Sequence, residues 1–155
     1  MSVCVTEGRP RQRCVADGRL LLQLDNDTAD LEAGQQALRE FLEAEGVSDR
    51  GLYHAELAFE ELVANIIRHA YGERNKGMHS IDVSVCVGGE EIALTVEDDG
   101  PAFDPLQVPA PPLPSTIEDA RIGGLGLPLV RMVAKRLEYA RLAGRNRVSL
   151  SIQRT

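Results

Sequence analysis

This sequence predicts an α/β fold, a two-layer α/β sandwich in which a mostly antiparallel sheet carries helices on one face. Three observations point there. Ile81, Val83, Val85 and Val87 alternate with polar residues, and after Gly88-Gly89 the run Ile92-Ala93-Leu94-Thr95-Val96 follows, which reads as two antiparallel strands joined by a two-residue turn. Two helical stretches follow one another with no strand between them. The overall order is strand, helix, helix, strand, strand, loop, helix, strand, strand. That order keeps the strands in hairpins and the helices in a separate layer, unlike the alternation that a parallel sheet requires.

The elements follow in turn. Leu20-Leu21-Leu22-Gln23-Leu24 reads as a strand closed by Asp25-Asn26-Asp27. Asp27 or Thr28 can cap a helix running to about Glu45, with Leu31, Leu38, Phe41 and Leu42 on its apolar side and Gly46 as its stop. Ser48 or Asp49 starts a second helix that runs to about Tyr71, and Gly72 ends it. Residues 101–114 contain six of the eight prolines, so this stretch cannot sustain a hydrogen-bond ladder and is expected to be an extended loop. A third helix is expected from about Leu125 to Leu137, with Pro128 in its first turn, where a missing N–H is tolerated. Glu138–Ala143 and Arg147–Gln153 then read as a last hairpin around Gly144-Arg145-Asn146. Residues 1–19 are read as an N-terminal extension, mobile at least in part, and 20–155 as the domain.

Length and composition narrow the function. The 155 residues, 43% hydrophobic and 26% charged, suit one domain with one core. A net charge of −7 argues against nucleic acid as a partner, because phosphate backbones demand clustered Lys and Arg. Arg9, Arg11, Arg13 and Arg19 form the one basic cluster of note and read as a solvated terminus. Cys4, Cys14 and Cys86 form no C-x-x-C pair and stand at no zinc-ligand interval from His54, His69 or His79, so free thiols in a reducing compartment are expected. There is no signal-peptide pattern and no apolar run near the roughly 20 residues of a membrane span. The expectation is a soluble cytoplasmic protein, with no membrane contact.

Three short segments could carry chemistry. On the second helix, Glu61, Asn65 and His69 are spaced by four and stack in one row at the margin of the apolar stripe formed by Ala55, Phe59, Leu62, Val63, Ile66 and Ala70. Such a row can simply be an amphipathic boundary. It can also line a cleft, where an amide oxygen takes a place on Mg²⁺ and a carboxylate one turn away deprotonates a hydroxyl or a water. Asp98-Asp99-Gly100 closes a strand, either as a plain turn or as a carboxylate that accepts from an exocyclic amine, with Gly100 letting backbone pass close to a flat base. Gly123-Gly124-Leu125-Gly126-Leu127 precedes a helix and reads either as a hinge or as backbone N–H groups turned to an anion. It follows a loop rather than a strand, so the dinucleotide fingerprint does not fit, and no Walker motif occurs.

In this order, with a variable loop between the last two, these segments resemble the N, G1 and G2 boxes of the GHKL ATP-binding superfamily. Within it they are most similar to the small bacterial anti-sigma-factor serine/threonine kinases, the RsbW-like HATPase group. The likeness runs from about Leu20 to Ile152 and includes Gly144-Arg145-Asn146-Arg147-Val148. It implies that Asn65 ligates Mg²⁺, that Glu61 is the catalytic base, that Asp98 reads adenine and that Gly100 shapes the base pocket. It places Gly124, Gly126 and Leu127 at the phosphates of ATP, under a lid of roughly 106–122. His69 matches the family as a structural residue, and Arg121 stands at a different offset from the lid arginine of some relatives.

The resemblance further implies an ATP-dependent serine/threonine protein kinase acting as an anti-sigma factor. Its substrate would be an anti-sigma-factor antagonist with a STAS domain, and its other partner a sigma factor. Relatives often dimerise, which leaves a homodimer open. A nucleotide-gated binding module without phosphotransfer fits the same residues. The catalytic domain of a sensor histidine kinase fits less well, because no helix pair carries a phosphoacceptor His.

Overall fold

The computed structural model describes residues 3–5, 8–10, 12–71, 79–107 and 126–155. Among these, seven strands form one sheet in which each neighbouring pair is antiparallel, in the order β1-β2-β3-β4-β5-β7-β6. The strands are β1 (Val3–Val5), β2 (Gln12–Ala16), β3 (Arg19–Asp25), β4 (Ser80–Gly88), β5 (Glu91–Asp98), β6 (Ala134–Leu142) and β7 (Arg145–Gln153). The described residues also form three α-helices: α1 (Thr28–Ala44), α2 (Asp49–His69) and α3 (Gly126–Val133).

The layering follows from the period of the strands. Leu20, Leu22 and Leu24 on β3, Ile81, Val83 and Val85 on β4, Ile92, Leu94 and Val96 on β5, and Val148, Leu150 and Ile152 on β7 are all buried. They meet Leu38, Phe41 and Leu42 of α1 and Leu52, Phe59, Leu62 and Val63 of α2 in a single core. The opposite sheet face carries residues such as Arg19, Gln23, Ser84, Thr95 and Glu97. Helix starts are fixed by side-chain caps: Asp27 accepts from the Asp30 N–H at 2.8 Å, and Ser48 accepts from the Gly51 N–H at 3.1 Å.

Several expectations need correction. Residues 1–19 are not merely an extension, because β1 and β2 continue the sheet beyond β3. The β2–β3 turn is Asp17-Gly18, with φ of +52° and +71°, the left-handed pair that a two-residue hairpin requires. Arg9 ties this segment to α1 through Asp27 at 2.8 Å and the buried Asp30 at 2.9 Å. Cys4 and Cys14 are not free thiols: they face each other across β1 and β2 and are joined in a disulfide, leaving Cys86 free.

The third helix also ends earlier than its apolar spacing suggested. From Ala134 onward the chain pairs with β7, Ala134 opposite Ile152 and Leu137 opposite Leu150, with an irregularity between Ala134 and Arg136. The ladder wins because β7 would otherwise be an open edge at this point. Two turns shift by one residue. The β4–β5 turn is Gly89-Glu90, with Gly89 at positive φ, and the β6–β7 turn is Ala143-Gly144, with both residues at positive φ, which places Arg145 and Asn146 inside β7.

Candidate nucleotide site

A cavity of about 190 Å³ opens between α2, the end of β5, the start of β7 and the corner at 101–105. Its walls are mostly apolar, with Leu62 and Ile66 of α2 facing Val96 and Val148 of the sheet and Phe103 standing at the rim. Asn65, His69, Asp98 and Asn146 are its polar groups. An apolar slot with a few convergent polar atoms suits a flat heterocycle.

Asp98, the last residue of β5, is buried, 5% exposed. Its Oδ1 accepts from the Gly100 N–H at 2.9 Å and from Asn146 Nδ2 at 3.1 Å. Its Oδ2 has no hydrogen-bond partner among the described residues. A buried carboxylate with one oxygen held and one free is an oriented acceptor. Gly100 was expected to let backbone approach a base. Here its near neighbours are protein: a Cβ would sit 3.0 Å from the Ala70 Cβ and 2.9 Å from Asp98 Oδ1. The missing side chain therefore lets the β5 corner close onto the end of α2.

Sequence reasoning missed Asn146. It is 5% exposed, and besides Asp98 its Nδ2 donates to the Pro101 carbonyl at 2.9 Å. Its Oδ1 accepts from the Phe103 N–H at 3.2 Å, the Tyr139 hydroxyl at 2.6 Å and Arg141 NH1 at 3.1 Å. Arg141 NH1 also donates to the Gly100 carbonyl at 2.7 Å. The hairpin rule carries only part of the signal: a turn at Ala143-Gly144 puts Asn146 opposite Arg141, whereas its place opposite Asp98 is set by the β5–β7 ladder.

At the other end, α2 presents Asn65 to the cavity and Glu61 one turn earlier. Neither side chain hydrogen-bonds another described residue. Glu61 meets the start of α3, where a Cβ at Gly126 would collide with its carboxylate, the Cδ lying 2.9 Å away. Burial first, and then the neighbouring Glu60, push the Glu61 carboxyl above its usual range, while Arg68 opposes the shift. Leu127 is half-buried beside Gly126. Among the described residues no group of three or more His, Cys, Asp or Glu could hold a metal. Gly124, Arg121 and residues 108–122 of the expected lid lie outside the described residues; of that loop, Pro105–Gln107 form one 3₁₀ turn, whose Pro105 and Leu106 carbonyls accept from Arg131 of α3 at 3.4 and 2.6 Å.

A family model described as the histidine kinase-like ATPase domain matches residues 24–152. The chain belongs to that family. As a histidine kinase-like ATPase domain it is 34% identical over 95 residues to the serine/threonine-protein kinase BtrW of Bordetella bronchiseptica, a match covering 61% of this chain and 66% of that protein, just under two thirds. Its fold is similar to that of the RsbU and RsbW domains of a Mycobacterium tuberculosis protein, with a TM-score of 0.62 at 18% identity, over 87% of this chain and 32% of the other. It is also similar to a chain of the SiaB–SiaC complex of Pseudomonas aeruginosa, with a TM-score of 0.56 at 20% identity, over 85% and 88% of the two chains. The GHKL resemblance carried by the three boxes agrees with this family. No helix among the described residues is long and apolar enough to cross a membrane.

The ATPase domain carries one further polar cluster next to its cavity. The Tyr71 hydroxyl donates to Asp99 Oδ1 at 2.5 Å and accepts from the Asp99 N–H at 3.1 Å. His79 stacks on the Tyr71 ring, with centroids 4.1 Å apart, and brings Nδ1 to 3.3 Å from the same Asp99 oxygen. The Tyr71 hydroxyl holds the Asp99 carboxyl below its usual range, with His79 helping and burial opposing. Burial, and then the bond to Asp99, raise the Tyr71 phenol. The cluster clamps the end of α2 and the start of β4 to the residue that follows Asp98.

Proposed function

We propose that this chain is an ATP-dependent serine/threonine protein kinase that acts as an anti-sigma factor and phosphorylates a STAS-type antagonist. The observation that carries the reading is the shared helix: α2 lines the cavity ending in Asp98 and, one turn before Asn65, holds Glu61 against the start of α3. The similarity to a bacterial serine/threonine-protein kinase supports it.

In this reading the adenine enters the apolar slot, and its exocyclic amine donates to the free oxygen of Asp98. The triphosphate runs towards Gly124, Gly126 and Leu127, where the first N–H groups of α3 and its dipole favour negative charge. Mg²⁺ carried with ATP would neutralise charge on the phosphates when bound. Asn65 would hold it, and the residues fit, because a hard amide oxygen with no described partner suits an ion that arrives with its phosphates and several waters. Glu61 takes the proton of the attacking serine or threonine hydroxyl as the new oxygen–phosphorus bond forms and the bond to ADP breaks. Its raised proton affinity suits that task. Residues 106–122 would cover the phosphates. The sigma factor would compete with the antagonist for the same protein.

Incubation with labelled ATP, Mg²⁺ and a STAS antagonist is expected to give phosphoserine or phosphothreonine on the antagonist. Asn65→Ala is expected to weaken Mg²⁺-dependent ATP binding. Nucleotide-dependent antagonist binding with no phosphorylated product would instead favour a gated binding module.

A further inference from the structure

We infer that Asn146 is a positioning residue that sets base selectivity, acting through Asp98 and assisted by Arg141 and Tyr139 of β6. The inference rests on the nucleotide site proposed above. Asp98 can discriminate between bases only if the oxygen facing the slot is an acceptor and stays in place. Its Oδ1 takes two hydrogen bonds, from Gly100 N–H and Asn146 Nδ2, which prevents the carboxylate from turning and directs Oδ2 to the ligand. A 6-amino purine supplies a donor to that oxygen. A 6-oxo purine presents a second acceptor and leaves two lone pairs opposed, a mismatch that a desolvated site rejects strongly.

Asn146 is itself oriented by what surrounds it. Its amide nitrogen faces acceptors only, Asp98 and the Pro101 carbonyl, and its amide oxygen faces donors only, Phe103 N–H, Tyr139 and Arg141. The flipped amide would lose all of these bonds but the one with the Tyr139 hydroxyl, which can also accept, so its orientation is set by chemistry. Arg141 reaches past it to the Gly100 carbonyl. Through these contacts the edge strand β6 fixes both the carboxylate and the corner at 100–103 that forms the mouth of the slot. Among the described residues, Asn146 is the side chain whose hydrogen bonds join β5, β6 and that corner to β7.

The test compares ATP with inosine triphosphate, its 6-oxo counterpart, by calorimetry on the whole chain. Wild type is expected to prefer ATP by on the order of a hundredfold. Asn146→Ala is expected to weaken ATP binding by about tenfold while leaving inosine triphosphate nearly unchanged, so that the preference falls to about tenfold. A purely structural role would weaken both nucleotides equally and overturn the inference.

Asn146→Asp supplies a second reading in a chain of nearly the same shape. Two carboxylates would then face each other at the present 3.1 Å contact, with Tyr139 and Arg141 on β6, His69 on α2 and Tyr71 just beyond it as other titratable or charged groups around them, the Arg141 charge opposing the repulsion between the two. Like charges this close raise the apparent pKa of the pair, so one shared proton restores the bridge at low pH and is lost as pH rises. ATP affinity relative to wild type at the same pH is expected to recover between pH 8 and pH 5.5. A ratio independent of pH would count against the bridge. If wild type binds neither nucleotide, the proposed site itself fails, an outcome distinct from normal wild-type selectivity that survives both substitutions.

Discussion

At the Asp98 end of the cavity, polar groups are held by the protein before any ligand arrives. Asp98 Oδ1 has two donors, Asn146 uses both ends of its amide, and Asp99 is fixed by Tyr71 and His79. At the Glu61 end the reverse holds: Glu61 and Asn65 have no hydrogen-bond partner among the described residues, and Gly126 leaves the Glu61 carboxylate just enough room. Recognition of a rigid base benefits from preorganised acceptors. Groups that handle phosphate, metal and a moving proton must keep their bonding capacity for the ligand. The difference makes the two ends separable by mutation.

The largest effect is expected from Glu61→Gln. It should reduce phosphotransfer by about 10² to 10⁴-fold while ATP affinity stays within a few-fold, as labelled-phosphate transfer and calorimetry would show. Loss of ATP binding in this variant would mean that the two ends are not separable. The acid limb of the wild-type pH–rate profile should lie above the usual carboxylate range, because the carboxyl that must be ionised has a raised pKa. Next comes Gly126→Ala, whose Cβ displaces the Glu61 carboxylate. A loss of about tenfold to a hundredfold in kcat is expected with little change in Tm, since the displaced group holds no described protein partner.

Asp98→Asn should act at the opposite end, weakening ATP binding by about 1.5–3 kcal/mol with kcat at saturation nearly kept. An equal loss of kcat would show that the base end also positions the phosphates. Gly34→Ala lies outside both ends: its Cβ would sit 2.9 Å from Phe59 and 3.1 Å from Leu24. Overpacking should lower stability by about 1–3 kcal/mol in a urea titration while ATP affinity is unchanged. The smallest effect belongs to Tyr71→Phe. A carboxyl whose pKa is depressed by folding stabilises the fold above its unfolded value near ~4 and loses that contribution as pH falls through the lower folded value. Removing the hydroxyl should move the Asp99 titration, followed by carbon NMR, back towards the usual range and flatten the acid dependence of stability.

Local patterns showed most of the frame. The alternation on β4 and β5 and the caps Asp27 and Ser48 belong to chemistry within a few residues, and they placed those strands, α1 and α2 to within about two residues. β1 and β2 escaped because they are short, three and five residues, and flank an arginine-rich stretch, although Asp17-Gly18 was a readable hairpin signal. The boundary between α3 and β6 escaped for a different reason. Apolar residues at 127, 130, 133, 134 and 137 keep helical spacing, and only the ladder with β7 converts the last of them to strand.

The sequence by itself determined that Glu61, Asn65 and His69 share a helix face and that Asp98 closes a strand, because spacing along one element obeys the geometry of that element alone. Only the tertiary structure decided that Asn65 and Asp98 border one cavity, that Gly126 abuts Glu61, and that Asn146 holds Asp98 in place. Those contacts join residues 33 to 65 positions apart, and distances of that kind are set by how the helices settle on a sheet whose register no local pattern encodes.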